Sequence, residues 1–178
     1  GIKNAPEILL LPGIGSPGVF GLFQPVIFLP EGQISTMSPG DAENIFLHEL
    51  AHIRRGDLAV QLATLVLQLV YWFHPAVWLA ASKTHRLREF CCDASVMASE
   101  STSAPQYRRT LLVIAGITPG EPEPVALGLL GLTGDTALLV DRLRHITRIT
   151  PKLRRRRTLV SISTVLLVAS CVLPMAPM

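Results

Sequence analysis

The chain has 178 residues, 49% of them hydrophobic against 16% charged, and a mean hydropathy of +0.42, which is apolar for a soluble domain. Its net charge of +3 comes largely from one basic run at residues 152–157, where nucleic acid is the competing partner and the apolar run that follows favours anionic phospholipid headgroups. No internal repeat, phosphate-binding loop, dinucleotide fingerprint or serine-nucleophile elbow is present, which removes those classes of enzyme.

Residues 1–34 are punctuated by glycine and proline around three short β-prone runs, Ile8–Leu11, Val19–Phe20 and Val26–Leu29, and predict a small sheet or hairpin. Ser38-Pro39-Gly40-Asp41 then reads as an N-cap, a proline at the first helical position and an acidic residue in the first turn. The helix it starts runs into His48-Glu49-Leu50-Ala51-His52. One helical turn separates the two imidazoles, so both can grip a single zinc ion, and Glu49 is left to act on water as the base. The competing reading is an ordinary amphipathic helix that happens to carry these letters. Gly56 marks the break, and Asp57 is the last formal charge before a long apolar tract.

From Leu58 to Ser82 there is no Asp, Glu, Lys or Arg, a run long enough to cross a bilayer as one helix. Phe73-His74-Pro75 argues instead for a helical hairpin, because proline breaks a helix from within. Gln61, Thr64 and Gln68 suit a packed or membrane-skimming helix. The choice matters for the third metal ligand. A single crossing would put His52 and Glu89 on opposite sides of the membrane, whereas a hairpin returns Glu89 to His52. Glu89 and Asp93, four apart on a second predicted helix, share a face: Glu89 as ligand, Asp93 behind it accepting the free N–H of a ligating histidine. A surface pairing of Glu89 with Arg86 or Lys83 is the competing fate. Cys92 is the runner-up ligand, with burial its other role.

Residues 104–117 read as a further helix, 118–135 as a flexible loop rich in glycine and proline, and 135–150 as another helix. The basic segment 151–157 precedes an uncharged run, read as a transmembrane helix over 158–174 with the preceding domain on the cytosolic side. Anionic lipid headgroups are the expected partner of those arginines, and no direct nucleic-acid contact is expected. Cys91, Cys92 and Cys171 fit three unpaired thiols in a reducing compartment. The chain opens on glycine with no signal peptide, as a fragment of a longer protein would.

The stretches Ser16–Gly21 and Pro25–Pro30, followed by HELAHIRRGD, WFHPAVW and REFCCD, resemble in order the BlaR/MecR family of membrane-embedded zinc metallopeptidases, most clearly over residues 8–100. His74 departs from the asparagine expected before that proline. The resemblance implies a mainly α fold with a small N-terminal β-sheet (α+β). It would be a zincin-like metallopeptidase domain over residues 1–150, with a helical hairpin core and a C-terminal transmembrane helix. It implies a gluzincin site with one Zn²⁺ on His48, His52 and Glu89 and with Glu49 as general base; Asp93 and Asp57 would stand behind the ligands. It also implies the cytosolic protease module of an antibiotic-responsive receptor in the bacterial cytoplasmic membrane. Its partners would be a peptide or protein substrate, such as the protein itself or a cytosolic repressor, together with membrane lipid and a second copy in a homodimer. A substrate strand is expected to pair along Val19, Phe20, Gly21, Leu22 and Phe23. No residue is assigned to the oxyanion; Tyr107, His145 and several arginines are eligible. A non-proteolytic scaffold that retains zinc, or a quality-control peptidase, are the alternative functions.

Overall fold

Pleated pairing of the three apolar N-terminal runs builds a small sheet whose order is β1–β3–β2. In the computed structural model, which describes residues 5–35, 37–99, 101–117 and 135–148, these strands are β1 (Glu7–Leu11), β2 (Gly18–Phe20) and β3 (Val26–Pro30). β3 pairs parallel with β1 and antiparallel with β2, so β2 is an edge strand. It ends at Phe20 because the chain turns at Gly21, where φ is +92° and an added Cβ would clash with the Gln24 carbonyl oxygen. The edge is therefore shorter than the expected Val19–Phe23: Leu22 and Phe23 lie outside the strand, in the turn that leads to β3.

A four-residue helix α1 (Glu31–Ile34), not expected from the sequence, leads to α2 (Pro39–Arg55). α2 begins as read: the Ser38 hydroxyl accepts from the Asp41 amide at 3.2 Å, and Pro39 fills the first turn. Such a cap is worth about 1 kcal/mol. Gly56, in the left-handed conformation at φ 69°, stops α2 and redirects the chain at once into α3 (Asp57–Val70). Tyr71–His74 then turn the chain, the His74 ring accepts from the Ala76 amide at 3.3 Å, and Pro75 opens α4 (Pro75–Met97). The charge-free tract is thus a hairpin of two helices, and α4 runs back against α2.

Helix α5 (Ala104–Ile114) ends three residues before the expected boundary, with Gly116 at φ +74° just beyond it. A last described helix, α6 (Asp135–Arg148), packs on α4 and α5. Two apolar clusters hold these elements. Ile27, Leu29 and Ile45 join the sheet to α2; Val96, Tyr107, Leu111, Leu143 and Ile146 join α4, α5 and α6. Between α2 and α5 a polar relay is fully buried: Asn44 donates to the Thr110 hydroxyl at 3.0 Å, and that hydroxyl donates to Asp41 at 2.7 Å.

Among the described residues no helix is long and apolar enough to cross a membrane. Residues 118–134 of the loop expected over 118–135, the basic segment 151–157, the span expected over 158–174 and Cys171 lie outside the described residues.

Candidate metal centre

Three of the side chains singled out in the sequence converge. His48 and His52 project from one face of α2, and α4 brings Glu89 to meet them. The Nε2 atoms of the two rings are 3.2 Å apart. Glu89 Oε2 lies 3.4 Å from His48 Nε2, and Oε1 lies 3.6 Å from His52 Nε2. Zinc bonds of 2.0–2.2 Å in a tetrahedral arrangement separate neighbouring ligand atoms by about 3.4 Å. The observed triangle fits that edge.

Hydrogen bonding on the far side of each ring fixes which nitrogen faces the triangle. His52 Nδ1 is 2.8 Å from Asp57 Oδ2, and a carboxylate can only accept, so the proton is on Nδ1 and the lone pair on Nε2. Behind His48 the contact passes through Tyr107: its hydroxyl donates to Asp93 Oδ1 at 2.7 Å and accepts from His48 Nδ1 at 2.9 Å. Asp93 Oδ1 itself lies 3.4 Å from that nitrogen. The expected role of Asp93 is therefore relayed by a phenol. Both Nε2 lone pairs face one another, an arrangement that a shared cation relieves.

Charge points the same way. Four buried carboxylates gather here, Glu49, Asp57, Glu89 and Asp93, and the guanidinium groups ion-paired to them among the described residues are those of Arg55 and Arg142. Arg142, on α6, makes a two-bond fork to Asp93 at 2.6 and 3.0 Å and reaches Glu89 Oε2 at 3.1 Å. Its Nη2 stands 3.5 Å from His48 Nε2, too far for a good hydrogen bond. Burial alone would raise the Glu89 carboxyl, but the adjoining His48 ring, the Arg142 charge and His52 bring it down to about 2. Glu49 goes the other way: burial holds it above the ordinary carboxylate range against the pull of His48 and His52. For His52 burial opposes the charged form, but the Asp57 hydrogen bond and the neighbouring carboxylates raise it.

His48, Glu49, His52, Asp57, Glu89 and Arg142 line one cavity of about 690 Å³. Val19 of β2 lines it, whereas Phe20, Gly21, Leu22 and Phe23 do not; Phe20 and Phe23 point into solvent. Cys92 packs behind His52, its sulfur 3.4 Å from Nδ1 and 3.4 Å from Asp57, and burial pushes its thiol far up, so it stays protonated. It faces the wrong nitrogen for the Glu89 triangle. Of the residues eligible at the oxyanion, His145 stacks on Phe90 at 4.4 Å and Tyr107 is buried behind His48. Arg142 was not singled out by the sequence reading. The signal was there: it falls among Leu139, Leu143 and Ile146, a charge on the apolar stripe of its helix.

A family model described as BlaR1 peptidase M56 matches residues 1–146. Regulatory protein BlaR1 of Bacillus licheniformis is 37% identical over 86 residues, 48% of this chain and 14% of that protein. The methicillin resistance mecR1 proteins of Staphylococcus aureus and Staphylococcus epidermidis are each 34% identical over 84 residues, 47% of this chain and 14% of theirs. The aligned region thus spans about one seventh of the curated relatives. No solved structure matches.

Proposed function

This chain belongs to the BlaR1 peptidase M56 family, and from that membership we propose that it is a zinc-dependent endopeptidase, the cytosolic protease module of a signal-transducing receptor in the bacterial cytoplasmic membrane. The observation that carries the reading is the triangle of His48 Nε2, His52 Nε2 and Glu89 with Glu49 beside it in one cavity.

His48, His52 and Glu89 would hold the ion. Zinc, when bound, supplies Lewis acidity toward water and a peptide carbonyl. Glu49 does the proton work: its carboxylate takes the proton that water sheds on attacking the scissile carbon and returns it to the departing amine. Burial suits it to that task, because a base lifted above its usual range returns a proton more readily near neutrality. Asp57 and the Tyr107–Asp93 pair hold the rings so that both lone pairs face inward. The substrate would be an extended segment of a protein, such as the receptor itself or a cytosolic repressor, laid along the cavity beside Val19.

Metal analysis and a peptide-cleavage assay test this together. Wild-type protein should bind one zinc ion and cleave. His48→Ala and Glu89→Ala should lose the metal, while Glu49→Gln should keep it and cleave about 10²–10⁴-fold more slowly. A Glu49→Gln protein that kept zinc, cleavage and signalling unchanged would leave a scaffold, and a Glu89→Ala protein with undiminished zinc would remove the ligand set.

A further inference from the structure

The α3–α4 hairpin carries an apolar surface that the described fold leaves uncovered. At its tip Trp72, Phe73 and Trp78 are 70%, 66% and 52% exposed, and along its arms Leu65, Leu69 and Leu79 are exposed as well. A contiguous patch of this kind on a protein surface marks a binding face. Three observations say what covers it.

The first is charge. Nothing from Leu58 to Ser82 carries Asp, Glu, Lys or Arg, yet exposed basic residues stand at both bases of the hairpin, Arg54 where α2 ends and Lys83 on α4. An apolar body with a cationic collar complements hydrocarbon beneath anionic headgroups.

The second is length. At 1.5 Å per residue the charge-free arm of α3 reaches about 20 Å, which exceeds one leaflet of about 15 Å and falls short of a core of about 30 Å. Such an arm enters and returns; it does not cross. The third is the tip's backbone. Where the chain reverses, the Tyr71 amide donates to the Leu67 carbonyl at 2.9 Å and the His74 amide to the Tyr71 carbonyl at 2.9 Å. The Trp72 carbonyl accepts from the Trp78 indole at 2.8 Å, and the Thr64 hydroxyl donates back to the Val60 carbonyl at 2.7 Å. Polar groups satisfied within the segment are what a lipid environment demands.

We infer that the α3–α4 hairpin inserts tip first into one leaflet of an anionic phospholipid bilayer, so that the cavity at its base sits at the membrane surface. Asp57 opens α3, and Glu89 lies seven residues, about 10 Å of helix, beyond Ser82. Segments reaching that cavity would then be ones that lie close to the headgroups. The insertion goes beyond the peptidase reading and stands or falls separately from it.

The chain's two tryptophans are both on this hairpin, so indole fluorescence of the full chain reports the hairpin alone, whatever else binds lipid. On adding vesicles of phosphatidylcholine and phosphatidylglycerol, the emission should shift to the blue, and brominated acyl chains should quench most of it. Lys83→Gln should weaken the response about fivefold on anionic vesicles and leave it unchanged on pure phosphatidylcholine. Leu69→Glu combined with Phe73→Glu should abolish the quenching while circular dichroism and zinc content stay as in wild type. Protein that sediments with vesicles while its indoles stay unquenched overturns the insertion. So does emission already blue-shifted without lipid and indifferent to bromine, the result expected if a second copy or residues 158–174 covered the hairpin.

Discussion

Arg142 closes on Asp93 through two hydrogen bonds of 2.6 and 3.0 Å, and Asp93 is fully buried. Removing the guanidinium leaves that carboxylate, and Glu89 beside it, without a counter-charge. Breaking one side of a buried ion pair costs about 3–5 kcal/mol. Arg142→Met should therefore lose that much stability in denaturant unfolding. Arg142→Lys should recover only part, since an ammonium cannot make the same fork. Pairing Arg142→Met with Asp93→Asn should be milder than Arg142→Met alone, because one of the two carboxylates left without a counter-charge is then neutral. Equal stability of Arg142→Met and wild type would remove the clamp.

Cys92 and Asp57 both touch Nδ1 of His52, but they predict opposite outcomes. The carboxylate fixes the tautomer that turns Nε2 toward Glu89. The thiol, held protonated by burial, gives Asp57 only a weak S–H hydrogen bond at 3.4 Å. Asp57→Ala should weaken zinc binding about 10–100-fold, the usual effect of losing the partner behind a ligating histidine. Cys92→Ala should leave it unchanged in a chelator-competition titration. Metal lost with the sulfur would instead favour the alternative group of His52, Asp57 and Cys92.

His48, Glu49 and His52 were legible because helix periodicity alone puts i and i+4 on one face. Glu89 was legible only through an argument about the hairpin, since proline at position 75 forbade a straight span and the turn at Tyr71–His74 returned the chain. The parallel pairing of β1 with β3 was not legible: it depends on a crossover that no local pattern encodes. The sequence offered Tyr107 only as an oxyanion candidate and Arg142 only as a charge on an apolar stripe, and for a related reason it did not give their partners. Their partners His48 and Asp93 lie 59 and 49 residues away, and only tertiary packing of α5 and α6 brings them together. The strand behind the expected substrate edge stops at Phe20, where the β-prone run Val19–Phe20 also ends, because Gly21 turns the chain.

Asp41 gives a pH test outside the metal centre. Burial would raise its carboxyl, but the Ser38 hydroxyl, the Thr110 hydroxyl and the nearby Arg109 charge together bring it below its ordinary value of 3.8. A depressed acid binds its proton more weakly in the folded state, so its contribution is present above pH 3.8 and fades as pH falls through the lower folded value. Asp41→Asn should cost about 1–3 kcal/mol at neutral pH, from the buried Thr110 hydroxyl losing its carboxylate. The gap from wild type should narrow in acid. Denaturant midpoints at neutral pH and below pH 3.8 check it, and a gap constant over that range would exclude the linkage.

Tyr107→Phe separates the phenol's hydrogen bonds from its packing. The ring belongs to the cluster of Val96, Leu111, Leu143 and Ile146, and phenylalanine keeps that volume, so stability should change far less than on truncation. The hydroxyl is lifted above its usual range by burial and by Asp93, so it stays a neutral donor to Asp93 and can only accept from His48. Without it, His48 Nδ1–H has one neighbour left, Asp93 Oδ1 at 3.4 Å, which lies beyond good hydrogen-bond distance unless the carboxylate shifts. Zinc affinity should fall by about tenfold, the smaller end of the range for groups behind a ligand. Nitrogen-15 NMR should show the His48 ring of the metal-free variant exchanging between tautomers where wild type holds the proton on Nδ1. An unchanged tautomer with unchanged zinc affinity would mean that Asp93 alone orients the ring.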